Sequence, residues 1–226
     1  MLKRPKKRLL KADPKKRDAF VVVYRQLLQD AQVEGAKIFF VDEAHFRADV
    51  CLRRMWVLRG TPALADSTSP RWGEKVSYYS GVCLETGEVE AMPVTESCTS
   101  VTSVAFLRQL RANHSEPLIV IWDNSSVHRG DAMRAYLTTP GLNLRLVALP
   151  PYSPDFNADE AIWGWAREEA TANHCFGTAP KVLEALAPFF HGLAQRATEV
   201  LQRCRTTLQA RAETPEPVAA CPSTHA

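Results

Sequence analysis

No run of about 18 apolar residues occurs anywhere in the 226-residue chain; the richest stretches, 38–41 and 118–122, are of strand length. That absence excludes a membrane-spanning helix, so no membrane partner is expected. The basic start also lacks the apolar stretch of a signal peptide, because Leu9 and Leu10 are followed at once by Lys11. A cytoplasmic protein is expected. Cysteine is sparse and scattered (Cys51, Cys83, Cys98, Cys175, Cys204, Cys221), with no CxxC pair. This argues against a zinc knuckle or a disulfide framework and for buried or inert thiols. No internal repeat is present. The net charge is only +3, yet residues 1–17 hold nine basic side chains and one acidic, a net of +8, which leaves −5 for the rest. A basic arm precedes a mildly acidic body.

The chain has 46% hydrophobic residues and five tryptophans, enough for a packed core in one or two domains. Helical spacing of Phe20, Val23, Tyr24, Leu27 and Leu28 predicts a helix over 16–30. Strand signals follow at 37–42, 54–59, 75–84 and 89–94, the last two forming a hairpin around Thr86 and Gly87. Thr99 or Ser100 caps a helix to about residue 113, and Pro117 introduces a strand at 118–122 that is apolar throughout, as strands buried on both faces are. A helix over 130–137 and a strand over 143–149 come next, then the turn-rich segment 150–157 (PPYSPDFN). Helices are expected over 158–171 and 181–210, the second kinked or broken at Pro188. The pattern predicts an α/β fold with a mixed sheet flanked by helices. The domain plan is a basic arm at 1–17, one body over 18–210 and a disordered tail over 211–226.

Two of the strands end in carboxylates. Residues 38–41 lead into Asp42 and Glu43, and residues 118–122 lead into Asp123 and Asn124. Strand ends of an α/β sheet face a common crevice, so neighbouring strands would bring Asp42 and Asp123 together across 80 intervening residues. Like charges that close coexist when one takes a proton or a divalent cation lies between them, and an all-oxygen donor set favours Mg²⁺ or Mn²⁺. A turn or helix cap is the alternative role for either aspartate alone. Glu160 is a third acid, with 36 residues between it and Asp123, on a helical face shared with Trp163, Gly164 and Arg167. Its competing role is a capping box with Asn157.

The segment LPPYSPDFNADEAIW (149–163), together with the Asp123-Asn124 and Asp42-Glu43 strand ends, resembles the catalytic core of mariner-type bacterial insertion-sequence transposases of the DDE superfamily. The similarity runs over roughly residues 2–172. The resemblance implies an RNase H-like fold with a five-stranded mixed sheet, and a metal-binding triad of Asp42, Asp123 and Glu160. It implies Mg²⁺ or Mn²⁺, as two ions, for phosphodiester cleavage at element ends and 3′-hydroxyl strand transfer. It further implies double-stranded DNA and a second copy of the chain as partners, in a bacterial, nucleoid-associated setting. Ala158 departs from the family, which has proline there; proline favours a first helical turn without being needed for the chemistry. Sequence recognition in the family lies in helix-turn-helix modules ahead of the catalytic domain, so residues 1–17 read as a joint to such a region.

Further candidates surround the triad. Glu43, Asn124 and His128 are placed as supports of the metal ligands, with His45 weighed beside them against ordinary polar surface. Lys3, Arg4, Lys6, Lys7 and Arg8 are candidates for phosphate contact, with a solubilising linker as the alternative, and Trp72 for stacking on a base or wedging a distorted duplex, with a packing anchor as the alternative. Two other functions fit the same residues: a non-catalytic regulatory fragment of a transposase, and a cellular RNase H-like nuclease. A two-carboxylate glycosidase leaves the third acid and the basic arm without a role.

Overall fold

The computed structural model describes residues 10–67 and 74–214. Lys3, Arg4, Lys6, Lys7, Arg8 and Trp72 lie outside the described residues.

Helix α1 (Pro14–Glu34) starts where Asp13 accepts from the backbone N–H groups of Lys15 and Lys16, with Pro14 in the first turn. It stops at Gly35, whose φ of 63° closes the helix in the left-handed region open to glycine. Phe20, Tyr24, Leu27 and Ala31 repeat at helical spacing and are buried against the sheet. Tyr24 meets Phe40 edge-on at 5.8 Å. The helix therefore begins before the expected arm boundary at residue 17. Lys15, Lys16 and Arg17 are helical because the Asp13 cap sets the start, and Arg17 is already bonded to Asp155 at 2.8 and 2.6 Å.

Five strands form one sheet: β1 (Lys37–Arg47), β2 (Lys75–Cys83), β3 (Val89–Val94), β4 (Leu118–Trp122) and β5 (Leu144–Ala148), in the order β3-β2-β1-β4-β5. β1, β2 and β3 pair antiparallel, whereas β1, β4 and β5 run parallel. The β2–β3 hairpin turns at Gly87, with φ at 77°. Every residue of β4 is buried, as its continuous apolar run requires in a sheet covered on both sides. On one face Phe40, Ile119 and Ile121 pack with α1 and with Trp163. On the other, Phe39, Val41, Val120 and Trp122 pack with α2 (Ser100–Asn113) and α3 (Asp131–Leu137). Thr99 caps α2 through a capping box with Thr102.

Three expectations are corrected. Residues 54–59 form no strand: β3 and β5 are the sheet edges, and the segment after Cys51 runs over the surface, leaving Leu52, Trp56 and Leu58 exposed. Near its start it is fastened by the Cys51–Ala172 bridge and by Arg53 N–H donating to Asn173 Oδ1 at 2.7 Å. Pro188 does not break its helix. α5 (Ala179–Gly192) continues through it, and the chain bends instead after Gly192 before α6 (Ala197–Arg203) and α7 (Thr207–Glu213). Residues 211–213, expected in the disordered tail, belong to α7, which the Thr206–Gln209 capping box starts; residues 215–226 lie outside the described residues. Among the described residues no helix is long and apolar enough to cross a membrane. Among the described residues the thiols of Cys83 and Cys204 are buried.

Candidate active site

The parallel register pairs Phe40 with Ile121, so Asp42 and Asp123 follow two residues later on adjacent strands. β4 ends at Trp122, and its polypeptide turns away as Asp123 Oδ1 accepts from Ser125 N–H at 3.0 Å. Glu160 opens helix α4 (Glu160–Ala166), which lies over the same end of the sheet. Asp42, Asp123 and Glu160 thus line one cleft of about 460 Å³, walled by Leu149, Pro150, Tyr152 and Asn157. A larger groove of about 720 Å³ lies at the opposite end of β1, between α1 and α7, away from these acids.

The capping box weighed as a competing role for Glu160 does not form. Asn157 Oδ1 accepts from Asp159 N–H at 3.2 Å while its amide donates to the Val41 carbonyl at 3.0 Å, tying the loop to β1. Glu160 is left free for the cleft. Trp163, three residues on, donates its indole N–H to Asp42 Oδ2 at 3.1 Å. α4 passes into a π-helical turn at Arg167–Thr171, and the Arg167 guanidinium sits over the Phe46 ring at 5.2 Å.

Burial and crowding set the protonation of these groups. Asp42 is pushed well above the usual carboxylate range, first by burial and then by the charges of Glu160, Glu43 and Asp123. Glu160 is raised by burial and by Asp123, with Arg167 opposing. Burial pushes Asp123 up as well, but His128 and the Ser125 N–H outweigh it and leave Asp123 below its ordinary value. His128 answers with a rise to about 9: burial lowers it, and Asp123 and Glu43 more than compensate.

Residues 37–182 match the model of the DDE superfamily endonucleases. The chain belongs to that family. It is 25% identical over 196 residues to an uncharacterized 39 kDa protein of insertion element IS630 from Shigella sonnei, covering 81% of this chain and 55% of that relative. The chain therefore spans about half the length of the curated relative it matches. Its fold is similar to that of the mariner Mos1 paired end complex with Mg, at 17% identity and a TM-score of 0.66, covering 96% of this chain and 68% of that one. The Mos1 paired-end complex with left transposon end gives 18% identity and 0.62, with 90% and 66% covered. The catalytic domain of Mos1 gives 14% identity and 0.53, with 94% and 99% covered. The five-stranded mixed sheet is the RNase H-like arrangement anticipated above.

Within this DDE endonuclease the remaining candidates separate. Glu43 and His128 are brought to Asp123, with His128 Nε2 3.0 Å from Asp123 Oδ1 and 3.3 Å from Glu43 Oε1. Asn124 lines the cleft, but its side chain makes no hydrogen bond among the described residues, and the turn at this strand end is closed by Asp123. His45 is exposed and bonded to Ser77 Oγ at 2.8 Å, outside the cluster. Asp159 escaped the reading of the sequence. It is wholly buried beneath the cleft, its Oδ2 accepting from Ser80 at 2.5 Å and its Oδ1 unpartnered. Its one signal was its place beside Glu160, where successive helical residues point about 100° apart. The indoles of Trp122 and Trp163 were likewise not read from the sequence as donors to the acids.

The cleft suits a hard divalent cation. Burial, reinforced by the charge of Glu160, favours the protonated form of Asp42, and burial with the charge of Asp123 raises Glu160, a cost that a cation held between these carboxylates would relieve. When bound, such an ion polarises a phosphoryl oxygen and activates the attacking water or hydroxyl.

Proposed function

We propose that the chain is the catalytic domain of a DNA transposase that hydrolyses a phosphodiester at an element end and joins the freed 3′-hydroxyl to target DNA. The observation carrying this reading is the meeting of Asp42, Asp123 and Glu160 in one cleft from three distant segments. Asp42 and Asp123 serve as principal ligands for two Mg²⁺ or Mn²⁺ ions, and Glu160 completes one shell and orients the nucleophile. Trp163 holds the Asp42 carboxylate in place, and the Asn157 amide holds the loop that delivers Glu160. The IS630 relative and the Mos1 complexes support double-stranded DNA as substrate. A homodimer allows both element ends to be cut, and a helix-turn-helix region, in the same or a separate chain, supplies sequence recognition. The basic residues of the 1–17 segment add phosphate affinity without specificity. The setting is the bacterial nucleoid.

The deciding experiment is Mg²⁺- or Mn²⁺-dependent cleavage of element-end DNA by the wild type and by Asp42→Asn, Asp123→Asn and Glu160→Gln. Each substitution abolishes cleavage with the circular dichroism spectrum unchanged, and a chelator does the same. Full activity in Glu160→Gln refutes the triad.

A further inference from the structure

Successive residues of a strand face opposite sides of a sheet, so Asp42 and Glu43 serve different sides of β1. Asp42 points toward α4 and Trp163. Glu43 points the other way, where the Trp122 indole donates to its Oε2 at 3.3 Å. His128, from the 3₁₀ turn Ser126–Arg129, lies over Trp122 with ring centroids 3.9 Å apart, and brings Nε2 to Glu43 Oε1 and Asp123 Oδ1. Its side chain is only 3% exposed and that of Glu43 14%.

Despite this burial, neither ring nitrogen of His128 and not Glu43 Oε1 has an aligned hydrogen bond. Buried polar atoms are ordinarily satisfied, and His128 Nε2 and Glu43 Oε1, which approach each other at 3.3 Å without an aligned bond, ask for a shared partner. The Glu43, Asp123 and His128 donor atoms lie within 4.8 Å of one another. Neighbouring ligands bonded at about 2.1 Å stand about 3.0 Å apart in an octahedral shell and about 3.4 Å apart in a tetrahedral one. The 3.0 and 3.3 Å separations from Nε2 are those of ligands sharing one ion.

We propose that Glu43, Asp123 and His128 form an additional divalent-cation site on the far face of β1, distinct from the Asp42–Asp123–Glu160 cleft and sharing only Asp123 with it. The imidazole ligand selects Mn²⁺ or Zn²⁺ over Mg²⁺, since Mg²⁺ prefers oxygen donors. The ion takes the place of the ring proton between the two carboxylates, as metals do on binding histidine. The site does not depend on the chain being an active transposase.

The test is pulsed EPR of Mn²⁺ added to the metal-free full chain, with and without ¹⁵N-histidine. The wild type shows coupling from a directly bonded imidazole nitrogen, altered by the label. His128→Gln loses that coupling and Glu43→Gln weakens it, each lowering the affinity for one Mn²⁺ by about tenfold or more. Asp42→Asn and Glu160→Gln keep the nitrogen coupling although they lose cleavage, so failure of the catalytic reading and failure of this site give different results. Thermal melts under chelator confirm that the variants fold; Glu43→Gln, which keeps the Trp122 and His128 packing, serves should His128→Gln fail to. Saturating Mn²⁺ with no histidine coupling in the wild type, no Mn²⁺ bound, or coupling that persists in His128→Gln overturns the proposal.

Discussion

Asp159 offers the sharpest test of the electrostatics under the cleft. It is 0% exposed and accepts from the Ser80 hydroxyl. Burial holds its carboxyl well above the ordinary range, Ser80 opposes this, and Asp42, Glu160 and Glu43 reinforce it. In the unfolded chain the same group ionises near pH 4. Between these limits the folded protein carries a proton that the unfolded chain has lost. The stabilising contribution is therefore complete below about pH 4, and falls about tenfold in the folding constant for each pH unit above it, until the folded group ionises. Tenfold is a little over about 1 kcal/mol. Asp159→Asn keeps the shape and the acceptor for Ser80 but never ionises; its extra N–H, facing the unpartnered side, costs about 1–3 kcal/mol at every pH. Urea unfolding under chelator between pH 4.5 and 8.5 measures the difference. The variant is the less stable protein at pH 4.5, and its deficit narrows as the pH rises. A difference that stays constant across the range refutes the argument.

Two further outcomes follow from single contacts. Trp163→Phe keeps most of the packing against Phe46 and Phe190 but loses the donor to Asp42. A hydrogen bond to a charged group is worth about 1.5–3 kcal/mol, so cleavage falls about ten- to a hundredfold while calorimetry shows a shift of only a few degrees; wild-type rates would mean that the bond has no bearing on the site. Arg17 holds the Asp155 carboxyl down at about 2, with burial opposing and Thr207 assisting. That stabilisation is present above about pH 4 and lost as pH falls toward 2. Because the Asp155 side chain is 45% exposed, about 1 kcal/mol is expected. Asp155→Asn is thus destabilised at pH 5.5 and equal to the wild type near pH 2, and an equal deficit at both values in urea titrations contradicts the ion pair.

Much of this architecture was legible locally. The period of Phe20, Tyr24 and Leu27 marked α1, and the unbroken apolar run before Asp123 marked a strand covered on both faces. Thr99 marked the start of α2, and Gly87 the hairpin. Errors arose where a local preference needed a distant partner. Residues 54–59 have the composition of a strand, but a strand exists only beside another edge, and β3, β2 and β1 pair without them. Pro188 is a helix breaker whose neighbours nevertheless hold α5 together, with Leu186 and Phe189 anchored in the core.

The carboxylates divide in the same way. Their types, their positions after apolar runs and the motif around Glu160 are properties of the chain itself, because short-range spacing dictates which strand ends and which helix begins with an acid. The sequence by itself therefore determined the family, the sheet and the three acids of the cleft. Whether an acid meets a cation, a proton or solvent was decided by tertiary structure alone. Asp159 and Glu160 are neighbours in the chain, yet one is sealed against Ser80 and the other opens on the cleft. Asp42 and Glu43 are neighbours too, and the pleat of β1 sends them to opposite faces, one to Trp163 and one to Trp122 and His128. The reason is physical: local pattern fixes the direction of a side chain relative to its own backbone, but desolvation and charge depend on which remote segments pack over it.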